Sequence, residues 1–455
     1  MIYFAALVAM TATAAMAQSV DEIAERAYDL LKAKNYTAAF PLILKAAEKG
    51  DCISQATLGT MYYEGKGTEK DYSQALWWWS NAKKKGCGED VKKYVDELLT
   101  TKLVVVSNIR YILNDNNTAT VTYDKFSDKT NYNGLTTVTI PEKINYAGKE
   151  YRVTSIGNEA FFACGGLKSL TIPSSVTSIG DRAFSNCTSL TSLNLVVPCS
   201  VVKVGENALS NTACFNNLPD GTLVYVGLVA YKYKGTMPSG TRIVIKDGTK
   251  GIGKWAFDGC SGLTSVTIPA SVTYIGDYAF SGCSGLTSVS IPNSVTTIGN
   301  WVFHSCGGLT SVSIPNSVTS VGDEAFSDCW RIKSLAIGSS VTSLGENAFK
   351  GCNSLTSVTI PSSVTTLGDK LFYDCTDLAS VTIPGSVTSI GNQVFSGCWK
   401  MKNINCNIAD VGRVKIDGGA FDYIGSTSCV LHVPRGTVDA YRRTAPWNKF
   451  SNIVE

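Results

Sequence analysis

The sequence predicts an α+β chain of several domains, a short α-hairpin module followed by a solenoid closed by β caps. Three observations carry this reading. From Cys260 onward one pattern returns every 23 residues, opening again at Cys283, Cys306, Cys329, Cys352, Cys375 and Cys398. A strict period of that length marks a stack of like coils. Residues 20–99 instead space Ala, Tyr, Leu and Phe at helical intervals. Residues 100–155 alternate β-branched and polar residues, broken by Asn-Asp-Asn-Asn, and read as hairpins.

The 455 residues leave room for two or three domains, and the net charge of +3 argues against a dedicated nucleic-acid binder. Residues 1–17 are apolar and Ala-rich and end Ala15-Met16-Ala17, the small-x-small pattern of a cleaved signal peptide. No Lys or Arg precedes that apolar run. No later stretch is long and apolar enough to span a membrane, so none is expected after cleavage. The helical module, residues 20–99, is expected to end in a helix at 91–99. Its Gly65-Lys66-Gly67 reads as a loop between helices, because no strand precedes it and the phosphate-loop fingerprint is incomplete.

One coil can be read residue by residue. Leu263, Val266 and Ile268 give a short strand with its apolar side inward, and Pro269 ends it for want of an N–H. Val272 and Ile275 form a second inward pair, and Gly276 permits a turn that a side chain would obstruct. Asp277 is read as the N-cap of a short helical turn, with Asp181, Glu206, Asn300, Asp323, Glu346, Asp369 and Asn392 at matching places. Ala279, Phe280 and Cys283 close the coil onto the core. Residues 156–405 carry the repeats, with a β-hairpin excursion at about 213–247, and counting through it gives about eleven coils.

The unit LTSVTIPxSVTxIGxxAFxxC resembles the BspA-type leucine-rich repeat. The resemblance implies a right-handed solenoid, export, and use as a surface interaction or adhesion module. It also implies an N-terminal β cap over residues 100–155 and a C-terminal cap over 406–455, where Val433-Pro434, Gly436, Tyr441, Trp447 and Phe450 fall at the family's places. No apolar anchor tail follows that cap. Between Ala56 and Gly86 the residues Leu58-Gly59, Tyr62, Gly65, Gly67, Asp71-Tyr72, Ala75, Trp77 to Trp79, Ala82 and Gly86 resemble a Sel1-like repeat, a relative of the tetratricopeptide repeat. Such repeats bind proteins or pack on neighbours.

Little here points to catalysis. The two histidines, His304 and His432, lie in different coils, and His304 falls in a variable slot that reads as solvated. No metal or cofactor is implied, and the expectation is a non-enzyme. Nine of the fifteen cysteines sit in the repeat slot and read as a buried thiol ladder; Cys199 with Cys214, and Cys406 with Cys429, are the more plausible bridges. The outward strand residues hardly vary: Ser265, Ser288, Ser311, Ser334, Ser357 and Ser380 form one row, and Thr267, Ser290, Ser313, Thr359 and Thr382 another, with Ala336 an exception. Variation gathers on the turns, and the candidate ligand-binding residues lie there. Trp255, Tyr278 and Trp301 fall two places after the repeat Gly in successive coils; Trp330 and Trp399 follow Cys and are followed by Arg331 and Lys400. The expected function is that of a secreted or cell-surface interaction protein. It would bind a protein or glycan, host or matrix included, through the solenoid. The alternative is a structural spacer or envelope-assembly scaffold whose specific contacts come from the Sel1-like module.

Overall fold

The computed structural model describes residues 20–68, 71–84, 103–114, 116–122, 132, 134–417, 419–424 and 428–455. The expected signal peptide and the expected helix at 91–99 lie outside them. The fold is a β-solenoid of about 13 turns with few helices, preceded by a short helical region. It divides into two compact units, residues 1–199 with 207–216, and residues 200–206 with 217–455.

The first unit opens with four helices, α1 (Val20–Lys32), α2 (Tyr36–Glu48), α3 (Cys52–Glu64) and α4 (Tyr72–Lys84), each packed on the next. Short polar side chains start them: Asn35 Oδ1 accepts from Ala38 N, and Asp51 Oδ2 from Ser54 N at 2.8 Å. Gly65-Lys66-Gly67 follows α3 as a loop. Trp78 and Trp79 are buried, and Trp79 Nε1 donates to Ala56 O at 3.0 Å, so this part of the Trp run is core. A meander follows, Leu103–Val106, Ile109–Leu113 and Thr118–Thr122, paired antiparallel. Thr118–Thr122 then pairs parallel with Lys149–Ile156, and the ladder passes on to Ser178–Ile179. On the other side Thr137–Thr139, Ser169–Ile172 and Ser192–Leu195 are parallel rungs.

The second unit opens with an antiparallel hairpin, Leu223–Val226 with Val229–Tyr233. The hairpin forms the first two strands of a ten-stranded sheet whose later rungs are all parallel, from Gly251–Ile252 to Lys415–Ile416. Opposite it run Thr241–Val244, Leu263–Thr267 and their successors, ending in Val430–His432 and Asn452–Val454. The excursion read at about 213–247 therefore supplies rungs of its own. So do segments read as caps, Thr137–Thr139 in front and Val430–His432 and Asn452–Val454 behind. The excursion was already within the count near eleven, so the rungs in the cap segments are why that count falls short of 13.

Inward positions form columns. Phe257, Phe280, Phe303, Phe326, Phe349, Phe372, Phe395 and Phe421 stack face to face, with neighbouring ring centroids 5.1–5.8 Å apart. The nine repeat-slot cysteines are free and buried. The thiol does more than fill space: Cys283 Sγ donates to Phe257 O at 3.1 Å, and Cys306, Cys329, Cys375 and Cys398 repeat the bond to the Phe carbonyl 26 residues earlier. Cys199, Cys214, Cys406 and Cys429 are free thiols too, so neither expected bridge forms. Tyr441 Oη donates beside Cys406, to Ile408 O at 2.7 Å. Cys52 is disulfide-bonded.

The slot of Asp277 is not a helix cap. Its neighbour Tyr278 has φ 57°, and the equivalent residues from Trp255 to Gln393 are likewise left-handed, which stops a helix before it starts. The carboxylate bonds to the next coil instead: Asp277 Oδ1 accepts from Asn300 N at 2.9 Å, Asn300 Oδ1 from Asp323 N, and Asp323 Oδ1 from Glu346 N. Coils approach so closely here that a Cβ on Gly322 would stand 2.4 Å from Asn300 Oδ1 and 2.7 Å from its N. The repeat glycine is required by this approach between coils.

Candidate ligand-binding surface

The turns are as regular as the sheets. Phe257 N donates to Ala279 O, Phe280 N to Val302 O and Phe303 N to Ala325 O, at 2.8–2.9 Å. Tyr278 N and Trp301 N donate to Asn300 O and Asp323 O in the coils that follow. A side chain on a turn is thus held on a backbone ladder, at a spacing set by the coils.

Trp255, Tyr278 and Trp301 form one continuous, half-buried ridge. Trp255 and Tyr278 are 4.8 Å apart between centroids, and Tyr278 and Trp301 lie 5.5 Å apart and within 10° of parallel. Both faces of Tyr278 are covered, so the ridge offers edges outward. His304 extends it, packing edge-on against Trp301 at 4.7 Å with Nδ1 3.8 Å from Glu324 Oε2. It is therefore half-buried rather than solvated, and desolvation lowers its pKa below the ordinary histidine value. Only its place three residues after Trp301 could have signalled this.

Trp330 and Trp399 stand apart from that ridge and are open to solvent, 48% and 59% exposed. Trp330 lays its ring on the preceding coil, where a Cβ on Gly307 would meet it at 2.1 Å. Trp399 lies 6.0 Å from Tyr423, itself 67% exposed and absent from the expected set. Arg331 and Lys400 are exposed beside them, and Lys400 Nζ pairs with Asp377 Oδ1 at 2.8 Å. On the strand face most of the Ser and Thr rows are solvated, and beside the ten-stranded sheet exposed threonines bond from coil to coil, as Thr342 Oγ1 does in donating to Thr319 O at 3.1 Å. Among the described residues no group of three or more His, Cys, Asp or Glu could hold a metal ion. No helix among them is long and apolar enough to cross a membrane.

A family model described as the BspA type leucine rich repeat region matches residues 154–221, 227–356 and 319–431, more than half of the chain. Among solved structures, a leucine rich cell surface protein of Faecalibacterium prausnitzii is 27% identical over 70% of this chain and 98% of its own, with a TM-score of 0.31. A leucine-rich repeat protein of Bacteroides ovatus is 27% identical over 77% of this chain and 89% of its own, with a TM-score of 0.38. The pneumococcal vaccine antigen PcpA is 17% identical over 77% of this chain and 98% of its own, with a TM-score of 0.33. No curated protein matches.

Proposed function

The chain belongs to the BspA-type leucine-rich repeat family, and from that premise we propose that it is an exported, non-enzymatic interaction protein. It binds a protein or glycan outside the cell, on host, matrix or a neighbouring microbe, through the turn side of the solenoid. The observation that carries the proposal is the exposure of Trp330 and Trp399 on turns fixed by the backbone ladder. Exposed tryptophans with adjacent cations are the residue types that dominate binding interfaces. Held rigidly, they lose little freedom on contact. The ridge Trp255–Tyr278–Trp301 is the second candidate contact. Two features favour export: the apolar opening ending Ala15-Met16-Ala17, and the disulfide at Cys52, since disulfides persist in oxidising compartments. The buried thiols are compatible with that setting, because burial holds them protonated and shielded. The helical module is proposed to be Sel1-like, with its own protein contacts.

The test is a binding screen of the full chain against matrix proteins and a glycan array. A Trp330→Ala/Trp399→Ala variant and a Trp255→Ala/Tyr278→Ala/Trp301→Ala variant run beside it, with circular dichroism as the fold control. A ligand lost in either folded variant supports the turn-side reading. A ligand that both variants keep, and that residues 20–99 are needed to bind, transfers the function to the helical module and makes the solenoid a spacer.

A further inference from the structure

The turn slots after Cys329 and Cys398 repeat one motif, Trp330-Arg331-Ile332-Lys333 and Trp399-Lys400-Met401-Lys402, three coils apart. In each the apolar third residue is buried and the other three are exposed. A continuous ladder keeps the two motifs in line: Ser354 N donates to Trp330 O, Asp377 N to Asn353 O and Lys400 N to Thr376 O, at 3.0–3.2 Å. Three coils place the motifs about 14 Å apart at sheet spacing.

We infer that these two Trp–cation motifs are the two ends of a binding site for an acidic polysaccharide chain. The inference rests on the reading of this surface as ligand-binding and names what it binds. Arg331, Lys333 and Lys402 have no ion-pair partner among the described residues, so three exposed cations stand unneutralised beside two exposed rings. The two rings lean outward, Trp330 onto Gly307 and Trp399 toward Tyr423. The floor between them is left to the short polar side chains of Asn353, Ser354 and Thr376. An acidic glycan matches each part: its ring faces stack on indole, its carboxylates or sulfates pair with Arg and Lys, and its hydroxyls bond to amide and hydroxyl groups. An acidic peptide would meet no apolar pocket on this floor for alternate side chains. Asp377 is the acid that stands on the floor, and it occupies Lys400, while Asp328 and Asp374 at its edge are half-buried.

The experiment titrates the full chain with heparin, with polygalacturonate and with neutral dextran, at low and physiological salt. Binding to one or both acidic chains, weakening with salt, and none to dextran is expected; a preference between the two separates sulfate from carboxylate. Trp330→Ala/Trp399→Ala should weaken it about tenfold. Arg331→Gln/Lys402→Gln should weaken it and flatten its salt dependence. Asp377→Asn, which frees Lys400, should strengthen it about threefold, an effect that a merely structural role would not give. If the tryptophan variant loses a neutral glycan, an acidic peptide or single-stranded DNA while neither acidic polysaccharide binds, the surface reading stands and this inference is overturned. If no ligand of the chain depends on Trp330 and Trp399, this inference is overturned, and the surface reading falls with it when the Trp255→Ala/Tyr278→Ala/Trp301→Ala variant also keeps every ligand.

Discussion

At Tyr278 two requirements oppose each other. Its backbone lies at φ 57°, a region that costs a residue with a Cβ about 1–2 kcal/mol. Its ring stacks between Trp255 and Trp301, and aromatic pairs contribute about 0.5–1.5 kcal/mol each. Tyr278→Ala removes the stacking and keeps the strain, whereas Tyr278→Gly removes both. Chemical denaturation should therefore find the Gly variant about 1 kcal/mol more stable than the Ala variant. An Ala variant as stable as Gly would mean that the turn is relaxed. None of this was legible in the sequence, because the slot also holds Glu324, Lys370 and Gln393, residues with no left-handed preference. Asn at every copy would have announced the turn. The stacking of three rings, by contrast, follows from their equal spacing.

Within a single coil, the apolar positions were readable because alternation along the strand and the 23-residue period agree on which side faces inward. The hydrogen bonds between side chain and backbone were not, since Asp277 and Cys283 find their partners one coil away. The thiol column has a consequence in alkali. Burial pushes Cys329 and Cys398 up to about 12 from an ordinary value near 9. Between those values the unfolded chain has lost the proton that the folded coil keeps. Stability is thus full below pH about 9 and falls as pH rises toward about 12, by up to about 1.4 kcal/mol per pH unit for each such thiol. Denaturant unfolding at intervals from pH 8 to 11 should show the decline, and Cys329→Val should make it shallower by one group's share. An unchanged slope in that variant would mean that Cys329 does not titrate differently in the two states.

Over the whole molecule, stacking leaves a terminal coil with one uncovered side, and in the second unit the C-terminal segment covers it. Phe421 ends the Phe column and meets Trp447 at 4.8 Å and Phe450 at 5.4 Å, with Tyr441 packed on Trp447. Truncation before the short helix Val438–Arg443 should expose Phe421, raise binding of an apolar dye and lower the melting temperature by several degrees. A truncated chain that melts like the full one and binds no dye would show that the segment is dispensable. The family resemblance implies a cap over residues 406–455, but the rungs of this segment were not legible, because Asn452–Val454 lacks the repeat pattern and is recognised as a rung only by its pairing with Val430–His432.

The ladders of the second unit also set how its coils would share a mechanical load. Carboxamide, carboxylate, thiol and peptide bonds between neighbouring coils all run along the stack, so a pull in that direction loads the coils in series rather than in parallel. The end coil, held from one side, yields first, and each coil that follows meets the same number of bonds as the one before. Such an element extends by repeated, near-equal steps, each releasing about 80 Å of chain, and at each step the coils not yet reached keep their turn-side residues in place.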